Sequence, residues 1–306
     1  MTAAPLPRDL AATARLGVAL AVFSAVGYGT MITATRLAYD AGSNPLTLIV
    51  ARAAVPGAIL ALIMLARRQS FALAPGAFRP VAGVALGQLG ITIGYLGAVA
   101  YIPVSLAALV FYAYPVLVAG LLPLLGRGRV HWTAALAFLA AFAGLALALA
   151  PSFTTLDPIG LALALCATFS GTLLVLAADR LPPGQDMLAV GLYMNLAALA
   201  AVGPYALLAG GLAAPATAVG WGAIAYVCLG FLLAFLAMIG AVRHAGPLRT
   251  ALVFNVEPLV AIASAVLLLG ERLGAGQALG VGLVVAALVL ATLAERLSPP
   301  PPPPSA

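Results

Sequence analysis

Charged side chains occupy 7% of the 306 positions and apolar ones 64%, where a soluble domain carries roughly 25% and 45–50%. A water-soluble surface cannot be built from that composition. The formal charge of +6 comes from Arg alone, scattered singly or in pairs at the ends of apolar runs, which is the pattern of membrane topology signals and not of a nucleic-acid-binding face.

In chain order, residues 1–14 form a short polar tail. Apolar segments long enough to cross about 30 Å of hydrocarbon then run over Arg15–Leu37, Leu46–Leu65, Val81–Ile102, Val104–Leu125 and Trp132–Ala150. They continue over Ile159–Ala178, Met187–Ala209, Val219–Val242, Leu248–Leu269 and Gly274–Leu293. The first run is longer than a signal-peptide core and lacks a convincing cleavage site, so it reads as a retained helix. Turn chemistry falls between the runs, at Asn44-Pro45, Pro75-Gly76, Pro103, Gly126 to Gly128, Pro151, Pro182-Pro183-Gly184, Gly210-Gly211, Gly246-Pro247 and Gly270. Residues 298–306 are a Pro-rich tail, Pro299 to Pro304 reading as extended polyproline. The expected fold class is therefore an all-α integral membrane protein of about ten transmembrane helices.

Assigning alternate loops to opposite sides puts eleven Arg on one side and two, Arg36 and Arg272, on the other, with Arg52 inside a span. Positive residues stay cytoplasmic, so both termini are expected inside. Ala108-Leu109-Val110-Phe111 with Pro115 recurs as Ala251-Leu252-Val253-Phe254 with Pro258, 143 positions later and without a gap. An offset of five spans is odd, so the copies must cross in opposite directions. Two inverted five-helix repeats, 15–150 and 151–297, follow, and secondary transporters of that architecture hold solute near the midplane between repeats.

The chain has no Lys. A Walker A loop and a Lys Schiff base are thereby excluded, so an energised process must use a gradient or a partner. Cys166 and Cys228 fall inside apolar runs and read as small buried hydrophobes. His131 and His244 sit at cytoplasmic helix ends, and no mid-membrane Asp pair, Ser-His pair or metal cluster occurs; neither an enzyme nor a cofactor is implied.

A charge at mid-membrane costs about 2.5–3.5 kcal/mol on insertion scales, so one found there needs a reason. Glu257 lies near the middle of the ninth run, two residues after Asn255 and before the helix-breaking Pro258. Burial disfavours its charged form, which suits proton exchange; the alternative is a structural ion pair with Arg52. Arg52 could instead bind a solute carboxylate or snorkel to the interface. In the third run Gly83, Gly87, Gly90, Gly94 and Gly97 recur every three or four residues, a seam for close helix packing. Beside them Gln88, Thr92 and Tyr95 form a polar stripe expected to line a cavity. Tyr112 and Tyr114 occupy the repeat positions of Asn255 and Glu257 and could stack against solute. Ser105, Thr168, Thr172, Tyr193, Asn195 and Tyr226 could either touch solute or bridge helices, while Tyr101 and Trp132 suit the interfacial belt.

From Glu257-Pro258 through Leu269-Gly270-Glu271-Arg272-Leu273 to Gln277 and Gly280, the chain resembles the EamA family of the drug/metabolite transporter superfamily. The Arg52 run after Asn44-Pro45 resembles that family's second helix. Gly126-Arg127-Gly128-Arg129 departs from the pattern, standing where a second Gly-Glu pair often occurs, which makes the halves chemically unequal. The resemblance implies a secondary transporter of small metabolites such as amino acids, usually an exporter, in a bacterial inner membrane. Its partners would be a small-molecule substrate and the lipid bilayer, with a homodimer left open. A channel or a non-transporting receptor-like protein is the rival reading.

The Arg asymmetry yields a test. In a background without native Cys, single Cys residues at Gln69 or Ser298 should be shielded from impermeant thiol reagents in intact cells, while ones at Thr155 or Ala214 should react. The reverse pattern overturns the orientation.

Overall fold

The computed structural model describes residues 8–98, 101–102, 104–125, 132–149, 157–269, 274–276 and 278–286. Among them all regular structure is helical: α1 (Arg8–Asp40), α2 (Pro45–Ala66), α3 (Phe78–Ala98), α4 (Val104–Phe111), α5 (Tyr114–Leu124) and α6 (Trp132–Leu149). The second half holds α7 (Pro158–Asp179), α8 (Met187–Ala209), α9 (Ala218–Ala245), α10 (Pro247–Val253), a 3-10 turn over Phe254–Val256 and α11 (Glu257–Leu269). Further helical residues lie at 275–276 and 278–286. Six stretches are long and apolar enough to cross a membrane: 13–40, 45–66, 158–179, 187–208, 218–245 and 247–268. The other expected spans correspond to α3, the α4–α5 pair, α6 and the last helical residues. The Gly126–Arg129 and Gly270–Leu273 loops, Gln277, His131 and the Pro-rich tail lie outside the described residues.

Polar capping sets several helix starts. Asn44 Oδ1 accepts from the Thr47 N–H, Asp157 from Ile159 and Gly160, Asp186 from Leu188, and Thr217 from Gly220. Each side chain satisfies a donor that a helix leaves open at its first turn.

Two helices are broken in mid-course. Pro115 and Pro258 have no N–H to give the carbonyl four residues back, and the helix axis is interrupted between α4 and α5 and again through the Phe254–Val256 turn. The interruptions occur at one register: adding 143 to the bounds of α4 and α5 gives 247–254 and 257–267, which are α10 and the body of α11. The same shift carries α1, α2 and α3 onto α7, α8 and α9.

Packing follows this correspondence. α1 lies along α9, and its equivalent α7 lies along α3; α2 pairs with α8. Lipid tails are as apolar as Leu side chains, so membrane helices gain association energy from close van der Waals approach. The glycine seam of α3 supplies it. A Cβ at Gly87 would stand 2.8 Å from the backbone N of Leu174, one at Gly94 2.7 Å from the Leu163 carbonyl, and one at Gly83 2.7 Å from the Ala177 Cβ. All five seam glycines face α7. On the α1 side, hydroxyls add to the packing: Ser24 donates to the Ala234 carbonyl at 2.6 Å, Thr33 pairs with Ser264 at 2.6 Å, and Thr30 with Tyr226 at 2.7 Å.

The α2–α8 pair is tied at both ends. At one end Gln185 accepts from the Ala74 N–H at 2.9 Å and Tyr193 donates to the Phe71 carbonyl at 2.9 Å. At the other, Asn44 donates to the Gly211 carbonyl, and the Ala213 N–H to Thr47 Oγ1 at 2.8 Å. Cys228 is buried, as the sequence suggests, but Cys166 is exposed on the outer face of α7 beside Leu165 and Phe169. Its apolar surroundings in sequence do not distinguish a lipid-facing position from a core one.

The seam makes a graded prediction. Gly94→Ala should cost about 1–3 kcal/mol, the overpacking range, because the new methyl meets backbone. Gly97→Ala meets only the flexible end of the Leu163 side chain, its Cδ1 at 3.2 Å, and should cost less. Thermal unfolding in detergent measures both, and equal losses would remove the α3–α7 contact as the cause.

Candidate functional site

Two polar constellations sit inside the bundle. The first is built on Arg52, one-third of the way along α2. Its guanidinium donates to Thr92 Oγ1 on α3 at 2.9 Å, and Thr92 donates in turn to the Gln88 carbonyl at 3.0 Å. One face of the guanidinium lies over the Phe231 ring of α9, 4.6 Å from its centre, a cation–π contact. These groups line a narrow cleft, part of it open to the outside of the bundle. Gln88 and the buried Asn195 of α8 complete its polar wall, while Met194, Ala198 and Val202 supply apolar surface. Asn195 Nδ2 donates back to the Gly191 carbonyl at 2.8 Å.

The second constellation joins the two helix breaks. The two breaks lie against each other, α10 packing on α5, with Tyr112 at the first and Glu257 at the second. Both breaks are braced from outside. Thr168 of α7 donates to the Val110 carbonyl at 2.8 Å, and Thr172 reaches the Tyr114 carbonyl at 3.5 Å. Asn255 donates to the Leu252 carbonyl at 3.1 Å within its own turn. A Cβ on Gly29 of α1 would stand 2.6 Å from the Glu257 carbonyl, and one on Gly171 of α7 3.4 Å from the Tyr114 ring. Small residues at successive register positions thus let α1 and α7 approach the two breaks.

The proposed polar stripe divides. Gln88 and Thr92 face the cleft, whereas Tyr95 meets Phe111 edge-on, with ring centres 5.7 Å apart. Phe111 also packs on Tyr112 at 5.2 Å and Tyr114 at 5.4 Å, so these aromatic residues form one cluster. Among the described residues Arg52 and Glu257 make no ion pair with each other; Arg52 donates to Thr92 instead. Thr168, Thr172, Tyr193 and Tyr226 bridge elements, and Asn195 lines the cleft. Tyr101 is exposed, as a belt residue is. The side chains of Ser105 and Trp132 lie outside the described residues.

Sequence reasoning overlooked Tyr28, in mid-α1. Its ring touches Phe231 at 6.0 Å and Phe254 at 6.2 Å, so it stands between the two constellations. Its hydroxyl is buried without a hydrogen-bond partner. A tyrosine between two glycines in an apolar run carries no sequence signal of such a position.

A bundle of long apolar helices with internally duplicated halves defines an integral membrane protein. The model of the EamA-like transporter family matches residues 15–150 and 158–293, and the chain belongs to that family, within the drug/metabolite transporter superfamily. The two matched segments begin 143 positions apart, 158 minus 15, the offset at which the helix breaks recur. Members of this family are transporters and not enzymes. A solved structure aligns with a TM-score of 0.75 at 19% identity, over 93% of this chain and 99% of that one, which establishes likeness of fold. Comparison with curated proteins gave no significant match.

The lack of an ion pair between Arg52 and Glu257 among the described residues carries a consequence. Thermal unfolding of Arg52→Gln, Glu257→Gln and the double variant should give losses that add to within about 0.5 kcal/mol, as for sites sharing no partner. Rescue of Glu257→Gln by Arg52→Gln would demonstrate an ion pair.

Proposed function

We propose that this protein is a secondary carrier, driven without ATP, that exports small amphipathic metabolites such as amino acids or related solutes by alternating access. Its halves act as inverted five-helix repeats in a bacterial inner membrane, with both termini cytoplasmic. Glu257 couples solute movement to protons.

The observation that supports this reading is the packing of the two helix breaks on each other, α10 against α5, with Glu257 at the second break. It links the broken helix of one half to the broken helix of the other at equivalent register. Interrupted helices are hinge-like because their freed carbonyls and donors can change partners at small cost. A carboxyl group at that junction gains or loses a proton where the halves meet, so its protonation can bias one arrangement over another. The cleft beside Arg52 supplies a place for solute, with Gln88, Thr92 and Asn195 to orient it. Tyr114 and Asn255 belong to the junction itself.

The test is Glu257→Gln in proteoliposomes. The variant preserves shape and most hydrogen bonding, so solute-solute exchange should survive while net transport driven by a pH gradient collapses. Normal gradient-driven transport by the variant would sink proton coupling. Saturable counterflow by the native chain separates a carrier from a channel or receptor, neither of which shows it.

A further inference from the structure

Arg52 is a cation inside an apolar bundle that, among the described residues, no carboxylate neutralises. Its guanidinium has five donors; one goes to Thr92 and one face to Phe231. An arrangement of this kind leaves donors in a forked geometry for an anionic acceptor. Phe231 carries a second polar neighbour, Tyr28, whose hydroxyl lies buried without a partner. The Tyr28 ring and the guanidinium thus share Phe231 as a neighbour, 6.0 Å and 4.6 Å from its ring centre. An unpaired buried hydroxyl is unfavourable, and a position that keeps one beside a cation without a carboxylate partner is suited to a ligand that completes both.

We propose that Arg52 and Tyr28 together form a carboxylate-binding subsite, Arg52 donating through its free N–H groups and Tyr28 through its O–H. The solute is a carboxylate-bearing compound with an apolar or aromatic body, which rests against Phe231 and the apolar wall of the cleft. The subsite deepens the carrier reading and rests on it for its role in transport, although binding alone can be measured without transport. Tyr28 thereby acts as a specificity residue. A phosphate or sulfate offers a tetrahedral cluster of oxygens, whereas one planar fork and one hydroxyl match the in-plane lone pairs of a carboxylate.

Sodium benzoate is the probe, titrated into the purified full chain at fixed pH and ionic strength while thermal unfolding is followed; benzamide and sodium sulfate are the controls. Benzoate should raise the melting temperature saturably, and benzamide and sulfate should not. Tyr28→Phe should melt at or above the native temperature without benzoate, because it removes an unpaired polar group, and should bind benzoate about tenfold more weakly, since a hydrogen bond to a charged group is lost. Arg52→Gln should abolish the benzoate shift. The proposal fails if benzoate gives no shift, if benzamide or sulfate matches it, or if Tyr28→Phe binds benzoate as the native chain does. The Tyr28 arm decides the matter even where Arg52→Gln does not fold. Counterflow without benzoate binding would sink the subsite and leave the carrier; benzoate binding without counterflow of any solute would do the opposite.

Discussion

Close backbone approach between α3 and α7 is the constraint on which the interior depends. Apolar side chains gain little by leaving lipid for protein, so the two helices are held by contact area that only small residues permit. With Gly87 and Gly94 against the backbone of α7, α7 comes near enough for Thr168 and Thr172 to reach the carbonyls of the first broken helix. Hydrocarbon tolerates a helix break only where neighbouring groups take up the freed polar atoms. The seam therefore does more than glue helices: it makes a break at Tyr112 affordable.

The second half repeats the geometry with different chemistry. Where the first break presents Tyr112 and Tyr114, the second presents Asn255 and Glu257, and the small residues that admit the bracing helix stand at Gly171 in one case and Gly29 in the other. Hydroxyl braces are likewise redistributed: α7 uses Thr168 and Thr172, while α1 uses Ser24 and Thr33 toward α9 and α11. Duplication has preserved backbone and packing and let the polar groups diverge. Such divergence places an acid at one break and tyrosines at the other, so the chemistry is least symmetric where the two breaks meet.

The separation of Arg52 from Glu257 reshapes the electrostatics. Two opposite charges that met each other would neutralise a membrane interior and freeze it. With Arg52 held by Thr92 and Phe231, and no ion pair to Glu257 among the described residues, the two groups remain individually available. Tyr28 stands between them on the edges of Phe231 and Phe254, an aromatic side chain in touch with both neighbourhoods.

Much of this was legible in the residues. Apolar run length announces helices in a bilayer because every backbone polar group must be satisfied within its own segment, and Pro258 reads as a helix breaker because it lacks a donor; the break in the Val104–Leu125 run was not legible, since Pro56 and Pro204 lack the same donor inside continuous helices. The 143-residue offset announced the duplication through two short matches and their prolines, and the three-and-four spacing of glycines announced the seam. Which helix the seam would meet, and which polar residues would face inward together, depended on rotations that hydropathy does not encode. Tyr95 shares a stripe with Gln88 and Thr92 yet turns to Phe111; Cys166 shares the apolar character of Cys228 yet faces outward; Tyr28 has no polar neighbour in sequence. Span and repeat are local properties written in residue type and spacing, whereas the partner of each charge is chosen by how helices distant in the chain are rotated against one another, and tertiary packing alone decides that.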